Sequence, residues 1–386
     1  MQLSVIILNY NVRYFLEACV LSVQKAIENC AAEIIVIDNN SIDDSCLMMR
    51  TRFPEIKLIE NYTNEGFSKA NNKAVKEAKG DYICILNPDT IVAEDTFLKI
   101  FEYIDKNKNS IEIGIIGCKL IDGAGCFLPE SKRGIPTPWV AFTKVFGLYK
   151  IIPKSRFFNQ YYAQHISENQ TGKIPILVGA FMLMQRQLYN QIGGFDENCF
   201  MYSDDIDLSY MALQTLKSNI YFSETTVIHY KGESTLKDGV YMKRFQDAMN
   251  FFYKKHFNTS SFFSFFMKIG IIAFSFVKMF QGKSTTKLQP DQYILVSNNT
   301  NLHAVLEKKL QKNISLLNST FIGDQSPLQH NLVEYIIDLN CVSFKEAILF
   351  FQNNKNKNTT YKLLPPASSF LIGSNSSNDR GEVIPF

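Results

Sequence analysis

Polar side chains follow directly after an apolar run in the stretch "CILNPDTIV" (84–92). Proline lacks the N–H that a strand ladder needs and fixes φ, so a strand over the apolar residues ends at Asn87-Pro88. Asp89 then presents a carboxylate two residues after the amide of Asn87. A cap at a strand-to-helix turn is the simpler explanation of such an acid, and a metal and phosphate site is the alternative. Both interpretations are open on this stretch alone.

A second acidic cluster lies in "FMYSDDIDLSY" (200–210), where a helical pattern begins. The helix dipole favours negative charge at this end, which accounts for one or two of the three acids Asp204, Asp205 and Asp207. Carboxylates held close together cannot all ionise easily, so one of them is a candidate base near neutral pH.

His229 ends another apolar run, "TTVIH" (225–229). A lone histidine is usually structural, but an imidazole combined with the carboxylate of Asp89 suits Mg²⁺ or Mn²⁺ when waters and a diphosphate fill the other positions. Such an ion neutralises charge that develops on a nucleotide-diphosphate leaving group. Asp89 and His229 are therefore a candidate metal site.

The elements that must position these residues alternate regularly over the first 110 residues. Near-continuous apolar runs suit strands that are covered on both faces, and helix-period stretches separate them, so we predict an α/β fold with a mostly parallel, doubly wound sheet. Ligands bind outside the carboxyl ends of such strands, where polar clusters also have capping or turn explanations. The predicted strands are 3–8, 33–38, 56–60 and 82–86, the helices are 12–28 and 67–79, and the polar clusters are Asn9-Tyr10-Asn11, Asp38-Asn39-Asn40-Ser41, 61–72 and Asn87-Pro88-Asp89-Thr90.

The chain divides into three predicted parts: a catalytic domain over 1–257, an apolar and basic segment over 258–287, and a small α/β domain of unknown role over 288–386. Within the first part, 120–173 lacks a clear period and is predicted to be mobile or to face an acceptor, and 218–235 is predicted to form two strands. Phe262–Phe280 approaches the length of a membrane span but contains two lysines, so we predict an interfacial or re-entrant helix. A buried inter-domain helix is the alternative.

Composition excludes several classes of protein. A net charge of +3 gives no argument for nucleic acid. The eight cysteines are scattered without a Cys-x-x-Cys pair, which favours a reducing compartment and no structural zinc. The start of the chain has no basic segment typical of a secretory signal. "QGKST" (281–285) is no phosphate-binding loop, because Val277 stands where the first glycine is required.

The order of these motifs resembles that of family 2 inverting glycosyltransferases of the GT-A fold, and bacterial rhamnosyltransferase-like enzymes in particular. The resemblance covers residues 2–257. It implies metal-dependent transfer of a sugar from a nucleotide-diphosphate donor, dTDP-rhamnose or a UDP-sugar, to a hydroxyl of a lipid-linked or surface polysaccharide at the cytoplasmic face of the inner membrane. The motifs are Asn9-Tyr10-Asn11, "VIDNNSIDDS" (36–45), "NEGFSKANN" (64–72), "LNPDT" (86–90), "GGFDE" (193–197), "FMYSDDIDLSY" (200–210) and "IHYKGES" (228–234).

The resemblance also implies roles for single residues. Asp89 and His229 would bind Mn²⁺ or Mg²⁺, and Asp205 would be the general base. Asp204 stands beside it where the family usually has glutamate, and Asn87 stands where many relatives have the first acid of an Asp-x-Asp motif. The implied donor-binding residues are Asn9, Tyr10, Asp38, Asn40, Asn64, Gly66, Asn71 and Asn87.

Two other functions are compatible with parts of the pattern. A non-catalytic sugar-nucleotide-binding or scaffold protein at the membrane would keep the fold with a degenerate site, but the presence of both Asp89 and Asp205 favours an enzyme. A nucleotidyltransferase is disfavoured, because no glycine-rich basic phosphate loop follows the first strand.

Overall fold

A computed structural model gives the architecture of the chain. It describes residues 1–137, 139–140, 143, 160–199, 202–231, 239–257, 289–323, 331–356, 358–375 and 381–386. No helix within these ranges is long and apolar enough to cross a bilayer. The predicted membrane-associated segment, Phe262–Phe280 within 258–287, lies outside the described residues.

The N-terminal part of the chain builds a mixed sheet from nine described strands in the order β3-β2-β1-β4-β10-β6-β11-β5, with β8 on β11, beside a small β7-β9 pair. The strands are β1 (Leu3–Asn9), β2 (Ala32–Asp38), β3 (Lys57–Glu60), β4 (Tyr82–Leu86), β5 (Thr90–Ile91), β6 (Ile113–Ile121), β7 (Lys132–Arg133), β8 (Gly172–Lys173), β9 (Ile176–Leu177), β10 (Phe181–Gln185) and β11 (Ser218–His229). The first four strands are parallel, as predicted. Strand β10 is antiparallel to both β4 and β6, so the sheet is less uniformly parallel than the sequence indicates.

Helices cover both faces of this sheet. Alternate side chains of β1 enter opposite cores: Val5 packs with α1, α2 and α4, and Ile6 packs with α3, α5 and α6. This double burial explains why the strands are near-continuous apolar runs. The helices are α1 (Arg13–Ile27), α2 (Ser45–Arg52), α3 (Phe67–Lys76), α4 (Thr96–Asn107), α5 (Arg186–Gln191), α6 (Asp204–Gln214) and α7 (Gly239–His256), with a 3₁₀ turn at Pro129–Ser131.

The prediction of two strands over 218–235 is wrong. A single strand, β11, runs from Ser218 to His229, and its pairing with β6 shifts register between Phe222 and Thr226. The polar residues "SET" at this irregularity resemble a turn in sequence, but they form a bulge within one continuous strand.

A second sheet of six described strands follows, in the order β13-β12-β14-β15-β16-β17. Its first four strands are parallel and the last two are antiparallel. Its elements are β12 (Gln292–Val296), α8 (Thr300–Leu310), β13 (Ile314–Leu317), a 3₁₀ turn (Ser319–Gly323), β14 (Val333–Asp338), α9 (Phe344–Asn353), β15 (Thr359–Leu364), β16 (Phe370–Gly373) and β17 (Glu382–Pro385). The domain boundaries at 257 and 287 stay a prediction.

The two sheets share an apolar core, in which Phe15 of α1 and Tyr230 pack with residues of the second sheet. The rings of Phe15 and Tyr230 lie edge to face at 5.1 Å. Polar contacts reinforce this packing, since both carboxylate oxygens of Glu94 accept backbone N–H groups at the start of α9, from Phe344 at 2.7 Å and Lys345 at 2.8 Å. The second sheet is thus packed directly against the first.

Candidate active site

A cleft of about 410 Å³ opens at the carboxyl ends of β1 and β4. This is the edge at which α/β sheets bind ligands. Of the residues predicted to form the site, Tyr10, Asn64, Gly66, Asn87, Asp204, Asp205 and His229 line the cleft. Asn9, Asp38, Asn71 and Asp89 are buried behind the lining, and Asn40 is exposed.

The parallel register of β1 and β2 sets Asn9 opposite Asp38. The Nδ2 atom of Asn9 donates to Asp38 Oδ1 at 2.7 Å, and the Ser41 amide donates to Asp38 Oδ2 at 2.8 Å. Both side chains are buried. Their hydrogen bonds join the ends of β1 and β2 and hold the loop after β2, in which Asn40 has a φ of +66°. Asn9 and Asp38 therefore support the cleft from behind.

Asn39 organises the loop on the next strand end. Its Nδ2 donates to Asn64 Oδ1 at 2.9 Å, and its Oδ1 accepts from the Glu65 amide at 3.1 Å. Gly66 precedes α3 with a φ of +81°, a conformation that favours glycine. Sequence reasoning noted Asn39 within a polar cluster but assigned it no role, because its long-range partners are visible only in the fold.

Asn71 lies one turn into α3 and is fully buried. Its Nδ2 donates to the Phe67 carbonyl at 3.0 Å, whereas its Oδ1 is buried without a hydrogen-bond partner among the described residues. A buried acceptor without a donor is uncommon. The bond to Phe67, the residue after Gly66, places Asn71 close to the loop that carries this glycine. Asn71 does not line the cleft.

Asp89 and His229 come together through strand pairing. His229 is opposite Thr90 in the β11–β5 pair, and the Tyr230 amide donates to the Asp89 carbonyl at 3.0 Å. The resulting distance from His229 Nε2 to Asp89 Oδ1 is 3.3 Å, and Asn87 Nδ2 lies 3.3 Å from the same nitrogen. Asp89, His229 and Asn87 thus form one corner of the site, in which a carboxylate and an imidazole converge.

No group of three or more His, Cys, Asp or Glu side chains that could hold a metal ion occurs in the described part of the chain. The corner offers two such donors, the Asp89 carboxylate and the imidazole of His229, whose Nε2 atom lies 3.3 Å from Asp89 Oδ1. A carboxylate oxygen and an imidazole nitrogen are suitable ligands for Mn²⁺, and Mg²⁺ commonly takes only one or two carboxylates with substrate phosphates and water. The residues present fit such an ion.

Asp204 and Asp205 lie in the first turn of α6 and line the same cleft. Asp205 Oδ2 accepts from Arg133 Nη2 at 2.5 Å and from the Gly179 amide at 3.0 Å. A Cβ atom added to Gly179 would lie 3.3 Å from the Cβ of Asp205, so this glycine leaves room for the acid. The Asp205 carboxylate is therefore fixed from two directions.

Asp204 is a buried acid next to this fixed carboxylate. Burial, followed by the neighbouring charge of Asp205, raises the pKa of Asp204 to about 7, while backbone hydrogen bonds and Arg133 act in the opposite direction. Asp204 therefore holds a proton more readily than an ordinary aspartate does.

Other charged and aromatic side chains of the cleft come from 120–173, the region in which the sequence has no clear period. Arg133, Glu130, Tyr161 and Tyr162 all line the cleft. Glu130 pairs with Lys231, and although burial alone would raise the pKa of Glu130, the Lys231 charge lowers it. The charged run "PESKRG" (129–134) is a sequence signal for Glu130 and Arg133, and it does not extend to Tyr161 and Tyr162.

Residues 4–193 match the family model described as glycosyl transferase family 2. The chain belongs to this family. The match ends before Asp204, Asp205 and His229. In the fold of this glycosyltransferase these three residues line the same cleft as residues of the matched part.

Curated relatives of this glycosyltransferase include an N-acetylglucosaminyl-diphospho-decaprenol L-rhamnosyltransferase of Mycobacterium tuberculosis, 24% identical over 247 residues that cover 61% of this chain and 78% of the relative. Rhamnosyltransferase WbbL of Escherichia coli is 28% identical over 204 residues, covering 48% and 70%. Among solved structures, a mannosyltransferase of Pyrobaculum calidifontis in complex with GDP-Man and Mn²⁺ has a TM-score of 0.47 and 16% identity, covering 73% of this chain and 76% of that one.

Proposed function

We propose that this glycosyltransferase transfers a sugar with inversion from a nucleotide-diphosphate donor to a hydroxyl of a lipid-linked or surface polysaccharide. The observation that carries the proposal is the arrangement of the cleft, where His229, in contact with Asp89, and the Asp204–Asp205 pair line one space. Direct transfer of the sugar from donor to acceptor needs two things around the anomeric carbon. One is a site that binds the leaving diphosphate, and the other is a base that removes the proton of the attacking hydroxyl.

Asp205 is the base in this proposal. Among the described residues, Arg133 and Gly179 both donate to Oδ2 of Asp205, so Oδ1 is the oxygen that would accept the proton of the acceptor hydroxyl. The acceptor oxygen bonds to the anomeric carbon as the bond from that carbon to the phosphate oxygen breaks, and the electron pair leaves with the nucleoside diphosphate. Attack from the side opposite the leaving group inverts the configuration.

Asp89 and His229 would hold Mn²⁺ or Mg²⁺ in the working enzyme. The ion would supply neutralisation of the charge on the departing diphosphate. The loops around Tyr10, Asn64 and Gly66 would bind the nucleoside part of the donor, with Asn9 and Asp38 fixing them from behind. Asn40, which is exposed, would reach the donor only at the rim of the cleft.

The relatives support a particular donor and acceptor class. Two of them are named rhamnosyltransferases, and one of these names a sugar linked through diphosphate to decaprenol. We therefore propose dTDP-rhamnose or a UDP-sugar as the donor, and an acceptor at the cytoplasmic face of the inner membrane. The apolar sequence Phe262–Phe280, with its basic flanks, is a suitable contact with such a surface.

Donor binding and turnover test the proposal together. Nucleotide-diphosphate sugars are screened by thermal shift with and without Mn²⁺, because a ligand that binds the native state stabilises it. The best donor is then used to measure release of nucleoside diphosphate in the presence of a lipid-linked acceptor. We expect Asp205→Asn to lower kcat by about 100- to 10,000-fold, and Asp105→Asn, an exposed acid on α4, to match wild type. Equal turnover in wild type and Asp205→Asn contradicts the assignment of the base.

Membrane contact needs a test of its own that keeps the full chain, since the second sheet packs on the first. Replacing Phe262, Phe263, Phe265 and Phe266 by serine should reduce sedimentation with anionic vesicles while leaving turnover of a soluble acceptor analogue unchanged. Equal sedimentation of the two proteins contradicts a membrane role for this segment.

A further inference from the structure

We propose that Arg133 is a positioning residue for the base: it holds the Asp205 carboxylate ionised and oriented, with Oδ1 directed to the acceptor hydroxyl. This inference rests on the proposed function, and it assigns a role to a residue for which the sequence pattern indicated none. Arg133 neither accepts the proton of the hydroxyl nor binds the acceptor. It acts only through Asp205.

The first argument is geometric. Arg133 ends β7, which pairs antiparallel with β9 so that Arg133 is opposite Ile176. From there its Nη2 donates both to Asp205 Oδ2 at 2.5 Å and to the Leu177 carbonyl at 2.9 Å. The carbonyl fixes the guanidinium independently of the acid, so the guanidinium is a preformed site for one carboxylate oxygen. The Gly179 amide holds the same oxygen from a second direction at 3.0 Å.

The second argument is burial. The side chains of Arg133 and Asp205 are 9% and 12% exposed, and a charged group with so little solvent is costly unless it is paired. Each ion therefore needs the other. Removing Arg133 leaves a buried carboxylate that can relieve its cost by binding a proton, and a protonated carboxyl cannot serve as the base.

The third argument is the set of charges around the pair. Asp204 is the neighbouring acid on α6, and within the described residues Arg133 is the cation that forms an ion pair with either of the two. Lys132, the residue before it, faces a different group, since its Nζ donates to the carbonyls of Tyr162 and Ala163 at 3.3 Å. Burial alone would lower the pKa of the Arg133 guanidinium, but the interactions with Asp205 and then with Tyr161 raise it above its ordinary value.

The third acid at the start of α6, Asp207, has ion-pair partners other than Arg133. Asp207 is bound by Lys255 and His256 of α7, at 2.8 and 2.5 Å. Arg133 thus serves the Asp204–Asp205 pair and not the whole acidic cluster. Burial and the charge of Asp205 raise the pKa of Asp204, and the positive charge of Arg133 opposes them.

The test is the pH dependence of kcat in full-length enzyme with its donor, Mn²⁺ and acceptor. In Arg133→Met the acid limb of kcat should move to higher pH by about 1–3 units, the range by which an adjacent opposite charge shifts a carboxyl group. In Arg133→Lys, which keeps the charge, the limb should stay closer to wild type. Lys132→Met is the matched control: it removes a buried cation from the same strand and should leave the limb unchanged.

A double variant separates this role from a general loss of structure. If Arg133 acts through Asp205, then Arg133→Met/Asp205→Asn has no lower kcat than Asp205→Asn alone, and the donor KM stays near the wild-type value in Arg133→Met. A kcat that falls equally at every pH, or losses that multiply in the double variant, overturns the inference while leaving the proposed function intact. A wild-type enzyme that turns over no nucleotide-diphosphate sugar contradicts the proposed function itself.

Discussion

Replacing Asn87 by aspartate should tighten metal binding at the corner formed with Asp89 and His229. The Asn87 amide lies 3.3 Å from His229 Nε2, so the isosteric carboxylate adds an anionic ligand at the same place. A unit charge about 4 Å from another contributes about 1 kcal/mol at the dielectric constant of water, and a divalent ion doubles this to about 2 kcal/mol. The Kd for Mn²⁺ should therefore fall by about 30-fold in Asn87→Asp.

The assay is a titration of free Mn²⁺ by electron paramagnetic resonance, in the presence of nucleoside diphosphate, with the concentration for half-maximal activity as a second readout. Asn190→Asp adds the same charge at an exposed position on α5 and is the control. We expect Asn87→Ala to bind Mn²⁺ no better than wild type. Equal Mn²⁺ affinity in Asn87→Asp and Asn190→Asp refutes the location of the ion at this corner.

Three further predictions concern the stability of the fold. Asp207→Asn breaks the buried contacts with Lys255 and His256 and should lower the free energy of unfolding by about 3 kcal/mol, as measured by urea denaturation. Glu94→Gln weakens the acceptor at the start of α9 and should cost about 1 kcal/mol in the same assay. Because the pKa of Asp204 is raised in the folded state, its contribution to stability is present below the unfolded value near 4 and is lost as pH rises through about 7. The free energy of unfolding of Asp204→Asn should therefore rise relative to that of wild type between pH 4 and pH 7, and a difference between the two proteins that stays constant over this range contradicts the prediction.

Strands β1, β2 and β4 were predictable because their side chains are buried on both faces of the sheet, whereas the residues of β3 are half-buried or exposed. The predicted strands 33–38 and 82–86 agree with Ala32–Asp38 and Tyr82–Leu86 to within one residue. The helix predicted over 12–28 is Arg13–Ile27. In these segments local composition and tertiary burial lead to the same element.

Strand order and long-range partners were not predictable in this way. The apolar run that forms Phe181–Gln185 gives no indication that it enters the sheet antiparallel, between β4 and β6. The bond from Arg133 to Asp205 joins positions 72 residues apart, and one of them lies in a region without periodicity. Asp89 and His229 were paired from their chemistry, and their 3.3 Å separation depends on the β11–β5 register, which no local pattern specifies.

The configuration of the product tests the central claim most directly. Wild-type enzyme is incubated with the donor found by thermal shift, Mn²⁺ and a lipid-linked acceptor, and the anomeric configuration of the new linkage is read by proton NMR. A single displacement assisted by Asp205 predicts the configuration opposite to that of the donor, with product forming about 100- to 10,000-fold more slowly in Asp205→Asn. A product that retains the donor configuration contradicts the account.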